Sequence, residues 1–273
     1  MKIIDKTLIA GPWVGEFGWE LFAWQAYIRA LSRNFLKTIV IGRTNSKHMY
    51  SDFADEFYPC DIRTGDSDSF FMIGCDTNKV LKEVIINNNL QKNKNIVLVP
   101  PRRIGNPPFT HYTKSVNFGN IEIIPEYVIF KSNKKYKYDY VFHARNRELR
   151  KEDNWSIENW KNLRNSLNAK IACIGSKTQS LHVEGTDDLR GVSLEETVGV
   201  IKGSKAVFGP SSGPMHLSSL CGTPHVVWSK KQNKNRYEEF WNPLQTPILF
   251  LDEHSWHPPA EYVYKRYKNW KTK

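Results

Sequence analysis

The sequence predicts an α/β protein with two Rossmann-like domains and a cleft between them. Short apolar runs alternate with segments whose apolar residues recur at helical spacing, which is typical of parallel β-α units. The alternation occurs before and after a region at 101–137 that is rich in proline, asparagine and lysine, and this region indicates a connector. We expect an N-terminal domain over 1–132, a C-terminal domain over 138–258, and a basic helix or tail over 259–273.

The N-terminal half alternates between predicted strands and predicted helices. The strands are expected at 7–11, 37–42 and 95–101, and the helices at 18–34, 46–57 and 78–90. The first of these helices has the clearest pattern, with apolar residues at positions 21, 24, 28 and 31.

The C-terminal half repeats the alternation with better helix-end signals. Strands are expected at 138–144, 169–175, 205–209 and 224–228, and helices at 156–167, 193–204 and 212–222. Ser156 is a favourable N-cap, and Glu158 places a negative charge near the positive end of the helix dipole. Gly222 predicts the end of the third helix.

The composition argues against several classes of protein. Cys60, Cys75, Cys173 and Cys221 are scattered without a C-x-x-C spacing, which disfavours a zinc site or a disulfide framework and predicts a cytoplasmic protein with reduced thiols. No apolar run approaches the roughly 18 residues of a membrane span. The start of the sequence, "MKIIDKTLIAGPW", is interpreted as a strand and not as a signal peptide.

The net charge of +11 favours anionic partners. Nucleic acid, acidic lipid headgroups, phosphorylated glycans and nucleotide substrates all fit such a surface. The excess is concentrated at 133–137, 229–236 and 264–273. A second interpretation is that these lysines are solvated and only keep the protein soluble.

The segment 208–228, "FGPSSGPMHLSSLCGTPHVVW", combines a strand, a Gly/Ser loop and a helix. Unpaired amides and the positive dipole at a helix N-terminus stabilise an anion there. Ser211, Ser212 and Gly213 are small enough to let a diphosphate approach the backbone, and His216 lies within reach as a donor. The segment therefore predicts a phosphate-binding loop.

Two other interpretations of this segment remain. Gly209-Pro210-Ser211-Ser212-Gly213 matches G-x-S-x-G, so Ser211 would be the nucleophile of an α/β-type serine hydrolase. Such an enzyme needs an acid and a histidine downstream as well as an oxyanion loop, and no H-G-G-G-like run is present. The segment could also be an ordinary turn.

A second strand, loop and helix occupies 9–31, and its loop contains a carboxylate. Glu16 lies between Gly15 and Phe17, next to the predicted helix start, which is a suitable place for a general base. Glu20 is the second candidate, although an acid in the first helical turn is also favoured by the dipole. Glu16 could equally be a solvated loop acid.

Together these motifs resemble the GT-B fold glycosyltransferases, specifically the heptosyltransferase-like family 9. The N-terminal "GPWVGEF" is similar to the family's Gly-rich loop with its catalytic acid. The segments "VFHARNRELRKEDNWSIENW", "ACIGS", "DLRG" and "SSGPMHLSSLCGTP" resemble successive motifs of its C-terminal domain. The resemblance covers nearly all of 138–228 and the first 30 residues, and 43–137 only in outline.

The resemblance implies an inverting transfer from a nucleotide-diphospho-sugar to an acceptor hydroxyl, without a metal or other cofactor. Glu16 would be the base, and the donor diphosphate would be held by Ser211, Ser212, Gly213, His216 and Arg145, with Gly15 and Glu20 as further candidates. Three positions depart from the family. Ser211 replaces its aspartate, Asp153-Asn154 replaces a basic residue that Arg147 or Arg150 could supply, and Gln179 falls near its acidic ribose contact.

Metal, acceptor and location are further expectations. Asp66-Ser67-Asp68 forms the D-x-D pattern of manganese-dependent transferases, but it lies in a polar stretch, and we expect no metal.

The family favours a lipopolysaccharide or capsule-like glycan as acceptor. Basic residues interleaved with aromatics at 228–241 and 263–270 also suit DNA with hydroxymethylated bases. The protein would then act in the cytoplasm, peripherally at a membrane or on DNA. An alternative interpretation of the basic tail is a helix that packs on the N-terminal domain. An alternative function for the protein is a non-catalytic module that binds nucleotides or polyanions.

Overall fold

The computed structural model describes residues 4–61, 76–93, 95–101 and 113–271. The chain divides into two compact units, Met1–Tyr127 and Val128–Lys273. Each unit contains a parallel sheet flanked by helices, so the predicted α/β class with two Rossmann-like domains is confirmed. The D-x-D pattern at Asp66-Ser67-Asp68 lies outside the described residues.

The first unit is built on a four-stranded parallel sheet in the order β3-β2-β1-β4. Its strands are β1 (Ile4–Ala10), β2 (Phe35–Gly42), β3 (Glu56–Pro59) and β4 (Ile96–Val99). The second half of β1 is fully buried because it pairs with β2 on one side and β4 on the other. Such a central strand is apolar on both faces, as the run "LIA" predicts.

The predicted helix at 18–34 is present but is not uniform. It consists of α1 (Phe17–Trp19), a π-helical turn (Glu20–Trp24) and α2 (Gln25–Ser32). Turns of this kind are rare and frequently occur at functional sites. The next helix, α3 (Thr77–Asn87), begins where the Asp76 carboxylate accepts hydrogen bonds from the first-turn amides.

The predicted helix at 46–57 is wrong. A short 3-10 helix covers Thr44–Met49, and β3 follows at Glu56–Pro59. The chain becomes extended because Asp55 pairs with Thr38 of β2 through both its backbone amide and its carboxylate. This tertiary pairing outweighs the local helical spacing.

The predicted connector at 101–137 is also more structured than expected. Within the first unit, β5 (Val116–Phe118) and β6 (Ile121–Ile123) form an antiparallel hairpin, with Gly119 at a positive φ in its turn. The division follows Tyr127, earlier than the predicted boundary at 132, because the Phe130 amide already donates to the Leu220 carbonyl of the second unit.

The second unit is built on a six-stranded parallel sheet in the order β12-β11-β10-β7-β8-β9. Its strands are β7 (Tyr140–Phe142), β8 (Ile171–Cys173), β9 (Asp187–Asp188), β10 (Ala206–Pro210), β11 (His225–Trp228) and β12 (Ile248–Leu251). Its helices are α4 (Ile157–Leu167), α5 (Leu194–Lys202), α6 (Gly213–Cys221) and α7 (Ala260–Lys271). Strands β9 and β12 were not predicted from the sequence.

The helix-end signals of the second unit are confirmed. The Ser156 hydroxyl accepts from the Asn159 amide at the start of α4. Ser193 and Glu196 form a reciprocal capping box at the start of α5. Gly222 ends α6 in the left-handed conformation at φ +69°.

The basic C-terminal helix is α7, and it packs against α4 of its own unit. Its apolar side, which includes Val263 and Tyr267, joins the buried aromatic core around Trp155, Trp160 and Trp228. The helix is therefore part of the core of this unit. Among the described residues, no helix is both long and apolar enough to cross a membrane.

We predict that Tyr267→Ala destabilises the second unit by about 3 kcal/mol or more, because truncating a buried aromatic leaves a cavity. The Tyr267 ring is fully buried and lies 4.9 Å from the Phe208 ring and 5.6 Å from the Tyr140 ring. Urea unfolding followed by tryptophan fluorescence measures the effect. Lys265→Ala on the same helix is the control, and its exposed ion pair with Glu261 predicts a loss below about 0.5 kcal/mol. Equal stabilities of the two variants would contradict the packing of α7.

Candidate functional site

The candidate site of the second unit lies at the carboxyl ends of two adjacent strands. β7 and β10 pair in parallel register, with Phe142 opposite Phe208. The residues that follow these strands, His143 and Ser211-Ser212, are therefore brought to the same edge of the sheet. Ligands in open α/β sheets bind at this edge.

A hydrogen-bond network fixes the loop between β10 and α6. The Ser211 amide donates to the Trp228 carbonyl at 3.0 Å, and the Ser212 amide donates to the Tyr237 hydroxyl at 3.0 Å. The Tyr237 hydroxyl in turn donates to Ser211 Oγ at 3.1 Å. Ser212 Oγ lies 2.9 Å from His143 Nδ1. The amides of both serines are thus satisfied within the protein.

The amides that remain available belong to the first turn of α6. Ser212 is its N-cap residue, but the serine hydroxyl makes no capping bond. Pro214 has no N–H, and in the described part of the chain nothing accepts a hydrogen bond from the Gly213 or Met215 amide. Residues 211–214 are only half-buried. The Gly213 amide and the positive end of α6 therefore lie at a partly open surface, which suits an anion, and the unpaired Met215 amide lies buried directly behind them.

Arg145 supplies a positive charge next to this turn. Its side chain is 1% exposed, and its guanidinium donates to the carbonyls of Ser211 (3.4 Å) and Arg150 (3.3 Å). Asp153 lies 3.7 Å away, and the Trp256 ring stacks 5.0 Å from the guanidinium carbon. Burial and the nearby Arg147 lower the pKa of Arg145 to about 10, which leaves it charged at neutral pH.

The remaining candidates from the Arg145 segment lie around it. Arg147 is half-buried, and its backbone is held by the side chain of Asn154. Arg150 is exposed and adopts the left-handed conformation at φ +59°. The Gln179 carbonyl accepts from the Asn146 amide at 2.8 Å, which brings Gln179 beside this segment. Their contacts with a ligand stay predictions.

His216 is buried in an aromatic environment. Its ring stacks on Tyr237 with the centroids 4.1 Å apart and meets the edge of Trp241 at 4.6 Å. Burial lowers the pKa of His216 well below its usual value. A hydrogen bond from His216 to a phosphate stays a prediction, and the ring also supports Tyr237, whose hydroxyl holds the serine loop.

The other end of α6 is satisfied by a cation. Lys202 Nζ donates to the Cys221 carbonyl at 3.3 Å, and Gly222 then turns the chain away. The last turn of a helix carries the negative end of its dipole, which an ammonium group neutralises. The C-terminal end of α6 is therefore paired with a cation, whereas its N-terminal end has no side-chain cap.

The candidate site of the first unit also lies beyond the carboxyl ends of two adjacent parallel strands. Gly15 and Glu16 follow β1, Arg43 follows β2, and these two strands pair in parallel. Arg43 Nη1 donates to the Gly15 carbonyl at 3.3 Å. A side chain at Gly15 would clash with the Trp13 ring, since a Cβ there would lie 2.7 Å from a ring carbon. Glu16 is half-buried at the N-cap of α1, and its carboxylate makes no capping bond.

Glu20 has a different environment from Glu16. It is fully buried and forms an ion pair with Arg43. Its carboxylate also accepts hydrogen bonds from Tyr50 (2.8 Å) and Ser46 (3.1 Å). This arrangement ties the π-helical turn to the segment after β2, so Glu20 has the contacts of a structural acid.

The geometry does not favour the hydrolase interpretation. Ser211 Oγ accepts from a tyrosine, and the nearby imidazole of His143 contacts Ser212 instead. Across the described ranges no carboxylate hydrogen-bonds to His143 to orient it as a base. Over the same residues, no group of three or more His, Cys, Asp or Glu could hold a metal ion.

Three residues of this site were not predicted from the sequence. His143 lay inside the strand predicted at 138–144, but β7 ends at Phe142, so His143 is the first residue after the strand, a position that faces the ligand edge. Tyr237 and Trp256 carried no such signal, because Tyr237 lies in a π-helical turn nine residues after β11 and Trp256 follows β12, which was not predicted. Their positions depend on tertiary packing.

The comparisons with known proteins were informative only at the level of structure. No protein-family model matches the sequence, and the search of curated proteins returned no match. Three solved structures of similar fold come from bacteria. A family 9 glycosyltransferase of Veillonella parvula DSM 2008 has a TM-score of 0.62 and 11% identity, over 98% of this chain and 90% of that one.

The other two are from E. coli. ADP-heptose lipopolysaccharide heptosyltransferase II has a TM-score of 0.61 and 12% identity, over 97% of this chain and 98% of its own. Heptosyltransferase WaaC, solved with ADP, has the same TM-score of 0.61 and 12% identity, over 97% and 99%. The chain therefore has the fold of GT-B glycosyltransferases, and the resemblance inferred from the sequence motifs is confirmed for the fold.

We predict that the two acids of the first unit differ in their effect on stability. Glu20→Ala should lower the free energy of unfolding by about 3–5 kcal/mol, because it leaves Arg43 without its buried counter-ion. Glu16→Gln should change it by less than about 0.5 kcal/mol, since the amide is isosteric and the site is half-buried. Urea unfolding of both variants tests this, and similar losses would contradict the distinction.

A pH dependence is expected from the buried histidines of the second unit. Burial lowers the pKa of His143 to about 3, with the Arg145 charge contributing, and lowers that of His225 to about 4. Both are neutral when folded, whereas the unfolded chain takes up protons near pH 6.5. The free energy of unfolding should therefore fall as the pH drops from about 6.5 to 4, by about 1.4 kcal/mol per pH unit for each histidine.

Urea unfolding at several pH values in this range measures that slope. His143→Asn removes one titrating group and keeps a polar atom near the position of Nδ1. Its slope should be smaller than that of the parent protein by the contribution of one histidine. An unchanged slope would show that His143 does not titrate differently in the folded and unfolded states.

Proposed function

We propose that the protein is a glycosyltransferase that moves a sugar from a nucleotide-diphospho-sugar to an acceptor hydroxyl. The observation that carries the proposal is the uncapped start of α6 beside the buried charge of Arg145, within a fold like that of known glycosyltransferases. One of the similar structures is an ADP-heptose heptosyltransferase and another was solved with ADP, so adenine nucleotides are the first donors to test.

The second unit would bind the donor diphosphate. The Gly213 and Met215 amides would donate to phosphate oxygens, and the Arg145 guanidinium would balance part of the charge. Ser211 and Ser212 would act through the shape of their loop, since their amides already bind Trp228 and Tyr237. Arg147, Arg150, Gln179 and His216 would contribute from the margin of the site.

The first unit would supply the base for an inverting reaction. The Glu16 carboxylate would take the proton of the acceptor hydroxyl, and the acceptor oxygen would bond to the anomeric carbon. The bond from that carbon to the diphosphate would break, and its electron pair would leave with the nucleoside diphosphate. The half-buried position of Glu16 in the loop that follows β1, at the N-cap of α1, supports this role.

The leaving diphosphate would be stabilised without a metal. Its developing charge would be met by the first turn of α6 and by Arg145, which both carry fixed positive charge. One well-placed donor of this kind typically contributes about 3 kcal/mol, or about a hundredfold in rate. Metal independence is a proposal that a chelator experiment tests.

The acceptor would be anionic or carried on an anionic polymer. The net charge of +11 supports this choice, and so do the exposed lysines of α7, whose apolar side is buried. A phosphorylated glycan of the lipopolysaccharide type is the first acceptor to test, and DNA with hydroxymethylated bases is the second. The protein would then work in the cytoplasm, at a membrane surface or on DNA.

The proposal is tested with a panel of nucleotide sugars, first for binding by thermal shift and then for transfer to each acceptor. Glu16→Gln should lower the transfer rate by about a hundredfold or more while donor binding persists, because it removes only the base. Glu83→Gln, an exposed acid on α3, is the matched control and should keep the parent rate.

Three results would contradict this assignment. If the protein binds no nucleotide sugar, the proposed donor site is wrong. If the Glu16→Gln variant is active, the proposed role of Glu16 as the base is wrong. Labelling of Ser211 by a fluorophosphonate would favour the hydrolase. Loss of transfer in EDTA, restored by a divalent cation, would overturn only the metal-independent mechanism.

A further inference from the structure

We propose that His143 is a positioning residue that holds the Ser212 hydroxyl away from α6 and so leaves the buried Met215 amide without a capping acceptor, available to a phosphate oxygen that enters at the half-buried turn 211–214. The inference rests on the proposed function, because it concerns the same diphosphate site. It assigns a role to a side chain that the proposed reaction does not otherwise use.

A serine at an N-cap normally closes the start of a helix. Its hydroxyl oxygen accepts from the amide of the second or third helical residue, and this bond typically stabilises the helix. In α6 the second residue is Pro214, which has no N–H, so only the Met215 amide could receive the Ser212 hydroxyl. A capped α6 would therefore lose one of its two available donors.

The same unit shows the usual arrangement twice. Ser156 caps α4 by accepting from the Asn159 amide at 3.2 Å, and Ser193 caps α5 by accepting from the Glu196 amide at 3.2 Å. Ser212 occupies the same position at the start of α6 but makes no capping bond. The residue type is suited to capping, so another interaction must compete for its hydroxyl.

His143 provides that interaction. Its Nδ1 lies 2.9 Å from Ser212 Oγ, a normal hydrogen-bond distance. The pairing of β7 with β10 fixes the backbones of both residues, and the His143 amide donates to the Phe208 carbonyl at 2.9 Å. A side chain at Gly175 would clash with the imidazole, since a Cβ there would lie 2.9 Å from its Cδ2. The ring is thus held in place on two sides.

A second observation points to an anion at this turn. The Arg145 Nε is buried and has no hydrogen-bond partner, on a side chain that is 1% exposed. The same guanidinium reaches the carbonyl of Ser211, one residue before the N-cap. A buried cation with unused hydrogen-bonding capacity beside an open helix start is the arrangement expected of a phosphate site.

The state of the Met215 amide can be measured without a ligand. The chain has four methionines, so labelling with [15N]methionine gives a simple spectrum in which Met215→Leu identifies the relevant peak. His143→Leu should slow hydrogen exchange of the Met215 amide by about fivefold, because the released Ser212 caps it. In His143→Leu/Ser212→Ala the exchange should return to the parent rate.

Two variants that replace the imidazole of His143 by a side-chain amide provide matched controls. His143→Asn places a polar atom near the position of Nδ1 and should keep the parent exchange rate. His143→Gln extends its amide towards the position of Nε2 and should behave like His143→Leu, and it replaces that variant if the leucine prevents folding. Equal exchange in the Asn and Gln variants, or slow exchange that persists in the Ser212→Ala background, would overturn the inference.

Ligand affinity gives the functional readout, with inorganic pyrophosphate and ADP as probes. His143→Leu should weaken binding about fivefold, the equivalent of a cap of about 1 kcal/mol, and the loss should be smaller in the Ser212→Ala background. An equal loss in both backgrounds would overturn the inference and leave the proposed function standing. Failure of the parent protein to bind either probe or any nucleotide sugar would overturn both.

Discussion

The parallel pairing of neighbouring strands is the constraint on which both candidate sites depend. In the second unit the register of β7 and β10 brings His143 to Ser212. In the first unit the pairing of β1 and β2 brings Arg43 to the carbonyl of Gly15. Residues that are far apart in the chain thus become neighbours because each lies within five residues of the end of a strand. A shift of either register would separate the groups that shape the loop.

The two units use opposite means to stabilise their loops. The first unit buries a charged pair, Glu20 and Arg43, and satisfies the carboxylate with two hydroxyl donors. The second unit relies on uncharged groups, a neutral His143 and the Tyr237 hydroxyl, and concentrates its charge in Arg145. Asp153, 3.7 Å away, balances part of the Arg145 charge, while the groups that hold the serine loop, His143 and Tyr237, add no carboxylate that would repel an anionic ligand.

The sequence was sufficient to predict the fold, and the reason lies in local signals. The apolar runs of the central strands and the serine caps of α4 and α5 depend on neighbouring residues only. The predicted helix at 46–57 failed because Asp55 pairs with Thr38, which is distant in sequence. The contacts of His143 with Ser212 and of Tyr237 with the serine loop are equally long-range, so they became visible only with the structure.

The Lys202 bond at the far end of α6 changes how that helix acts on its surroundings. With nine residues the helix is about 14 Å long, so its two poles are separated by more than the screening length of physiological salt. An ammonium group cancels the pole at Cys221, while the pole at Gly213 keeps its partial charge. Seen from solvent, α6 behaves as a positive monopole, and its attraction for an approaching anion falls off more slowly with distance than that of a dipole.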